Sequence, residues 1–231
     1  MLDPARYARR RARLATLMNE GDAVVRTAPE RLRNRDSSFP FRFDSYFHYL
    51  TGFPEPEAVL VLIAGNNPKS MLFCREKDVE REIWDGFRHG PQMAREAFGF
   101  DETHPIAKLD ELLPQLFANQ AAVFCDIGAD ADWDRQVIGW INKVRAQIRS
   151  GVSAPVEIRD VRRFLDDMRL IKDEHEIGTM RRAAGISSQA HRRAMRAARP
   201  GAREYELEAE LIHEFRRQGA QAPAYTPIVA A

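Results

Sequence analysis

Ala58-Val59-Leu60-Val61-Leu62-Ile63-Ala64, then Gly65-Asn66-Asn67-Pro68, then Ser70-Met71-Leu72-Phe73-Cys74, is the stretch on which the fold turns. Two apolar runs separated by Gly, Asn and Pro read as two buried strands around a hairpin-type connection. Working outward, Ala23-Val24-Val25, Ala121–Asp126 and Val156-Glu157-Ile158 read as further strands. Residues 91–98, 108–118, Trp133–Ile148 and Val161–Arg169 carry helical spacing between them. At the front, Asp3-Pro4 supplies an N-cap carboxylate and a proline for the first turn of a helix. Tyr7, Leu14, Leu17 and Met18 form its apolar side, and Gly21 ends it. This alternation predicts an α/β layer structure with a mixed sheet and flanking helices, complete by about residue 171.

Beyond that point the period changes. Ile177, Met180, Ala184, Ser187, His191 and Met195 recur at three- and four-residue steps, as on one long amphipathic helix ended by Pro200-Gly201. A second helix runs from Glu204, with Leu207, Leu211, Ile212 and Phe215 on its apolar side and Gly219 as its stop. Two helices and a strand-like tail do not make a domain, so their apolar faces are expected to want a sheet. His191, on the apolar side, is expected to be a packed core histidine. Arg181, Arg182, Arg192, Arg193, Arg196 and Arg199 lack the interleaved aromatics of single-strand binders, and a solvated helix face is expected instead. The run Arg9-Arg10-Arg11 is expected to be solvated for the same reason.

Composition narrows the class. With 231 residues, 44% hydrophobic and 30% charged, the chain can bury a sizeable core as an ordinary globular protein. A formal net charge of +1 offers no global field for nucleic acid or an anionic membrane, so neither is expected as a partner. Cys74 and Cys125 sit far apart in apolar strand-like runs and are expected to be buried, reduced thiols. No run is apolar for long enough to span a membrane, and the arginine-rich start has no apolar stretch behind it to make a secretory signal. A cytoplasmic location fits these features.

Several site patterns fail on inspection. His213-Glu214 is no zinc motif, because Arg217 stands where the second histidine would be. Asp130, Asp132 and Asp134 imitate the start of a calcium loop, but Arg135 replaces the turn glycine and Ile141 the bidentate glutamate. There is no dinucleotide fingerprint or P-loop, and no nucleophile–histidine set has any specificity.

Six stretches carry a resemblance. Asp44-Ser45-Tyr46-Phe47-His48-Tyr49-Leu50-Thr51-Gly52-Phe53-Pro54-Glu55-Pro56-Glu57-Ala58-Val59-Leu60-Val61-Leu62 and Glu82-Ile83-Trp84-Asp85-Gly86-Phe87-Arg88-His89-Gly90 resemble the N-terminal domain of bacterial Xaa-Pro aminopeptidases (aminopeptidase P). Met168-Arg169-Leu170-Ile171-Lys172-Asp173-Glu174-His175-Glu176-Ile177 is similar to that family's interdomain junction. Pro200-Gly201, Tyr205-Glu206 and Tyr225-Thr226-Pro227-Ile228-Val229 are similar to the first segment of its catalytic domain. The resemblance covers essentially the whole chain. It implies a creatinase/aminopeptidase P N-terminal-like domain over residues 1–171, then the start of a pita-bread metallopeptidase domain, truncated, over residues 172–231.

The resemblance further implies a cytosolic, oligomeric hydrolase, a dimer or tetramer, that removes an N-terminal residue when proline follows. Its peptide substrates carry proline at the second position. Family chemistry uses two divalent ions, commonly manganese, held by aspartates, a histidine and glutamates. Those ligands lie downstream of the position of Val229, so this chain is expected to bind no metal, to hold no catalytic residue and to be inactive alone. Three residues match substrate-side positions. Trp84 either packs as a core aromatic or reaches the active-site mouth of a neighbouring subunit. Arg149 is either an ordinary surface arginine or lines the substrate side. Tyr225 matches a tyrosine whose hydroxyl sits beside the metal site. Prolidase and creatinase share the architecture and remain rivals, as does a non-catalytic peptide-binding or interaction module.

Overall fold

The computed structural model describes residues 3–230, and the chain divides into two compact units, residues 1–168 and residues 169–231. Among its described residues the first contains six strands: β1 (Asp22–Arg26), β2 (Val59–Ile63), β3 (Lys69–Cys74), β4 (Glu102–Pro105), β5 (Ala122–Cys125) and β6 (Glu157–Asp160). They form one sheet in the order β4-β3-β2-β1-β5-β6. β2 runs antiparallel to β1 and β3, while the pairs β1–β5, β3–β4 and β5–β6 are parallel. Five strands therefore point one way, and the sheet has a well-defined carboxyl edge and amino edge.

The helices of this unit are α1 (Pro4–Met18), α2 (Ser45–Thr51), α3 (Val79–Asp85), α4 (Gly90–Phe98), α5 (Leu109–Phe117), α6 (Ala131–Arg145) and α7 (Arg162–Leu170). Side chains alternate across a strand, so each strand feeds two cores. Ala23, Val25, Leu60, Leu62, Leu72 and Phe124 pack with Leu14, Phe47, Leu50, Phe98 and Leu165 from α1, α2, α4 and α7. Val24, Val59, Val61, Phe73 and Val123 pack on the opposite face with Leu113, Phe117, Trp133, Val137 and Trp140 from α5 and α6. The result is three layers, helix–sheet–helix. Each fully buried Leu, Val or Phe contributes about 1.5–3 kcal/mol by leaving water. Cys74 belongs to one core and Cys125 to the other; both are free and buried, and burial pushes both thiols up to about 12.

The arginine run of α1 departs from a solvated face. Arg11 is only 2% exposed. It lies four residues after Tyr7 and three before Leu14, on the inward side of the helix. Its guanidinium donates to the carbonyls of Leu50 at 3.1 Å, Phe98 at 3.4 Å and Gly99, and lies over the Phe100 ring at 4.4 Å. Those carbonyls belong to the ends of α2 and α4, where the helix leaves acceptors unpaired and the dipole is negative. Burial lowers the Arg11 pKa to about 10, with Asp101 opposing the shift, so the group stays charged at neutral pH.

The second unit is a helical hairpin, α8 (Glu174–Ala197) and α9 (Glu204–Arg217). Asp173 and Glu176 close a capping box at the start of α8. Between the helices, Glu214 is buried and pairs with Arg217 at 2.7 Å and Arg193 at 3.8 Å; Arg193 also pairs with Glu210. The expected core placement of His191 is overturned, because His191 is exposed. The covered line of α8 runs instead through Ile186, Ala190, Arg193, Ala194 and Ala197. One partner helix can cover one narrow stripe, and small residues set where the two helices approach.

Candidate functional site

A strap follows β3 at the carboxyl edge of the sheet and carries α3. Asp78 caps this helix by accepting from the Arg81 amide at 3.0 Å, with Glu80 and Glu82 in the first turn. Gly86 ends it, and α3 buries none of its residues. The strap's apolar side chains stand in solvent: Val79 is 70% exposed, Ile83 78%, Trp84 85% and Phe87 56%. Trp84 is thus not a core aromatic. Four exposed apolar side chains within nine residues leave this segment with apolar area open to contact.

The strap is nevertheless well fastened. Its ends meet where Gly90 passes Lys77: a Cβ at Gly90 would stand 3.0 Å from the Lys77 amide nitrogen, and φ there is +67°. Both conditions call for glycine. Lys77 Nζ donates to Glu82 Oε1 at 2.6 Å and to the Arg88 carbonyl at 3.1 Å, and lies over the Phe87 ring. The Arg88 amide returns to Glu82 Oε1 at 2.9 Å, and Arg88 Nη2 reaches Asp85 at 2.7 Å. The Lys77 and Arg88 hydrogen bonds hold the Glu82 carboxyl below the usual carboxylate range. At the far end, the His89 amide donates to Glu55 Oε1 at 2.8 Å and His89 Nδ1 meets the same oxygen. Glu55 is 6% exposed, and its second oxygen faces Arg75 at 3.8 Å. Phe53, Phe87 and Phe98 surround the His89 ring. Beside the strap lies an open cleft of about 730 Å³, lined among others by Arg75, Lys77, Asp78, Arg81 and Arg88.

More charge gathers along the same edge. Arg26 at the end of β1 pairs with Asp130 at 3.0 Å, and Arg162 after β6 pairs with Asp160 at 2.6 Å. Asp126, just after β5, is raised by burial, the nearby arginines only partly opposing it. His48 stacks on Phe43 at 3.9 Å, and burial together with Arg42 and Arg10 lowers it to about 4, so it is neutral at pH 7.

The other two residues singled out from sequence lie elsewhere. Arg149 is exposed in a single 3₁₀ turn, Ile148–Ser150, between α6 and β6. That turn lies at the amino edge, where the Ser153 carbonyl accepts from the Asn119 amide and the Ala121 carbonyl from the Val156 amide. Trp84 and Arg149 therefore sit at opposite edges, on elements flanking β3 and β6, four strand spacings or ~19 Å apart across the sheet. One chain does not join them into one subsite. Tyr225 belongs to the second unit, in the segment after α9, and is 77% exposed. Among the described residues, no group of three or more His, Cys, Asp or Glu side chains is arranged to hold a metal ion. Sequence reading missed the roles of Glu55 and His89, although both lie within the quoted motifs. Their separation of 34 positions carries no periodic signal.

The aminopeptidase P N-terminal domain model matches residues 7–124, a stretch that runs from within α1 into β5 and includes the whole strap. The chain belongs to the aminopeptidase P N-terminal domain family. Residues 178–231 match metallopeptidase family M24, so the start of an M24 domain follows the aminopeptidase P domain. The Xaa-Pro aminopeptidase of Escherichia coli K12 is 41% identical over 226 residues, 96% of this chain and 51% of that protein. The structure of Pseudomonas aeruginosa aminopeptidase PepP superposes with a TM-score of 0.95 at 46% identity, covering 99% of this chain and 52% of that one. A zinc-substituted E. coli aminopeptidase P in complex with product superposes with a TM-score of 0.93 at 40% identity, covering 97% of this chain and 52% of its own. The chain spans about half the length of the curated relatives it matches. In the described residues, the aminopeptidase P domain has no helix long and apolar enough to cross a membrane.

Proposed function

We propose that this chain works as part of a Xaa-Pro aminopeptidase, a cytoplasmic metal-dependent hydrolase that removes the residue before a proline from the N-terminus of peptides. The observation that carries the reading is the 41% identity to a Xaa-Pro aminopeptidase, spread along 96% of the chain. Residues 1–171 act as the N-terminal domain and residues 172–231 open the catalytic one. Family chemistry uses two divalent ions, commonly manganese, which when bound would supply Lewis-acid activation. The described residues do not fit such a pair, since no three ligating side chains converge. No step of hydrolysis is therefore assigned to side chains of this chain.

Its share is recognition. A proline amide has no N–H to offer, so a site must read its shape, and a broad indole face suits a compact apolar pyrrolidine ring. Trp84, held out at the carboxyl edge, provides such a face. Because Trp84 and Arg149 lie at opposite edges of one sheet, a substrate surface using both draws them from different subunits of a homo-oligomer, a dimer or tetramer. Tyr225 completes the substrate side in the catalytic half.

The test is a chimera joining this chain to the remaining half of the E. coli enzyme. It should cleave peptides with proline at the second position and spare those with alanine there. Trp84→Ala should lower turnover of longer peptides while leaving the melting temperature in place. A cooperatively folded chimera without proline selectivity overturns the reading. Loss of several kcal/mol of stability in Trp84→Ala would return that residue to the core.

A further inference from the structure

We propose that Glu55 is the positioning residue of the Trp84 strap: one buried carboxylate fixes the strap to the sheet and so sets where the indole is presented. The proposal deepens the peptide-recognition reading and, for its consequence in catalysis, rests on it.

The argument starts from what could hold α3 in place. The helix has seven residues and buries none of them, so packing does not fix it. Polar fastenings remain, and they fall into two sets. The inner set is the Glu82 carboxylate, gripping Lys77 Nζ and the Arg88 amide. It closes the strap on itself but ties it to nothing else. The outer set joins the strap to the rest of the unit, and its polar centre is Glu55. That residue sits in the turn between α2 and β2, flanked by fully buried Phe53 and nearly buried Ala58. Its Oε1 accepts from the amide of His89, the residue just after the strap's last charged contact, and lies against the His89 ring nitrogen. Its Oε2 has no hydrogen bond and faces the Arg75 guanidinium, which is itself 8% exposed, at the strap's other end. One side chain thus addresses both ends of the strap. A buried carboxylate in this position is costly unless its donors stay in place. The two ends are accordingly held together, and Trp84, two residues after Glu82, inherits their position.

Hydrogen exchange of the 231-residue chain tests this without any assay of activity. In Glu55→Ala, amides of residues 86–90 should exchange at least about tenfold faster, while those of β2 and β5 keep their parental rates. Glu55→Gln keeps an acceptor for the His89 amide and should return residues 86–90 to within about threefold of the parent. A rise spread evenly over sheet and strap would make Glu55 a general stability residue, and unchanged exchange at 86–90 would remove its role; either overturns the proposal. Should Glu55→Ala fail to fold, His89→Ala, which removes the ring contact with Glu55, carries the same comparison between strap and sheet.

In the chimera, where Glu55→Gln should stay near the parent, Glu55→Ala should lower turnover of longer proline peptides as Trp84→Ala does. Combined with Trp84→Ala it should add nothing, because the two act through one contact. Full additivity would sink the link to Trp84. A chimera without proline-peptide cleavage would defeat the functional reading alone and leave the exchange result standing.

Discussion

The two units use the same kind of amphipathic helix and reach different ends. In the first, the inward residues of α1 and α6 are almost wholly covered, Leu14 at 0% and Trp140 at 1% exposure. In the second, Met180 and Met195 recur on α8 with equally clear helical spacing and remain 58% and 69% exposed. The difference lies in what each helix faces. A sheet two layers deep in side chains covers a wide stripe, whereas one antiparallel helix covers a line of small residues around Ala190. Periodicity states that a face exists; only a partner buries it.

The largest effect expected from this contrast is on stability. Trp140 is enclosed between α5 and α6, edge-on to Trp133 and Phe117, and its Nε1 donates to Asp110 at 2.7 Å. Trp140→Ala should cost about 3–5 kcal/mol in denaturant unfolding, and Met195→Ala less than about 0.5 kcal/mol. Comparable losses would show that α8 is covered as fully as α6.

A smaller effect concerns pH and sharpens the picture of the sheet's amino edge. Asp22 opens β1 with 0% exposure, opposite Ile63 and Val123, and neither carboxylate oxygen has a hydrogen bond. Burial alone raises its pKa to about 7. The folded state thus keeps a proton that the unfolded chain, with an ordinary aspartate, releases near pH 4. Stability from this group is full below that value and declines as pH rises toward 7, by ~1.4 kcal/mol per unit at most. Above about 7 both states are ionised and the slope ends. Asp22→Asn should flatten this portion of the stability–pH curve; an unchanged slope would mean the carboxyl is hydrated or paired.

The smallest expected change comes from removing the hairpin. Residues 1–171 contain the whole sheet and both cores, so they should unfold cooperatively at a temperature close to that of the full chain. A broad, non-cooperative melt would show that the first unit borrows stability from the second.

Much of the fold was legible because burial and periodicity coincide. β2 and β3 are apolar runs buried on both faces, and α6 and α8 are long enough for their spacing to stand out. β4 was missed because Glu102-Thr103-His104-Pro105 has neither an apolar run nor alternation; it is a strand only because β3 offers its edge. α3 was missed because a seven-residue helix with no buried face leaves no stripe to read. α2 hid within a dense aromatic stretch, where Asp44 caps it and Gly52, at φ +66° against the Tyr7 ring, ends it.

The sequence by itself determined the layer class, the core strands, the two reduced cysteines and the motifs that carry the family resemblance. These follow from side-chain chemistry and local spacing, which one chain displays directly. Tertiary structure alone decided that Arg11 turns inward, that His191 turns outward, and that Trp84 and Arg149 stand at opposite edges of the sheet. It alone joined Glu55 to His89 and Arg75. Each of these depends on which distant elements meet, and a hydrogen bond between residues far apart in sequence leaves no period along the chain.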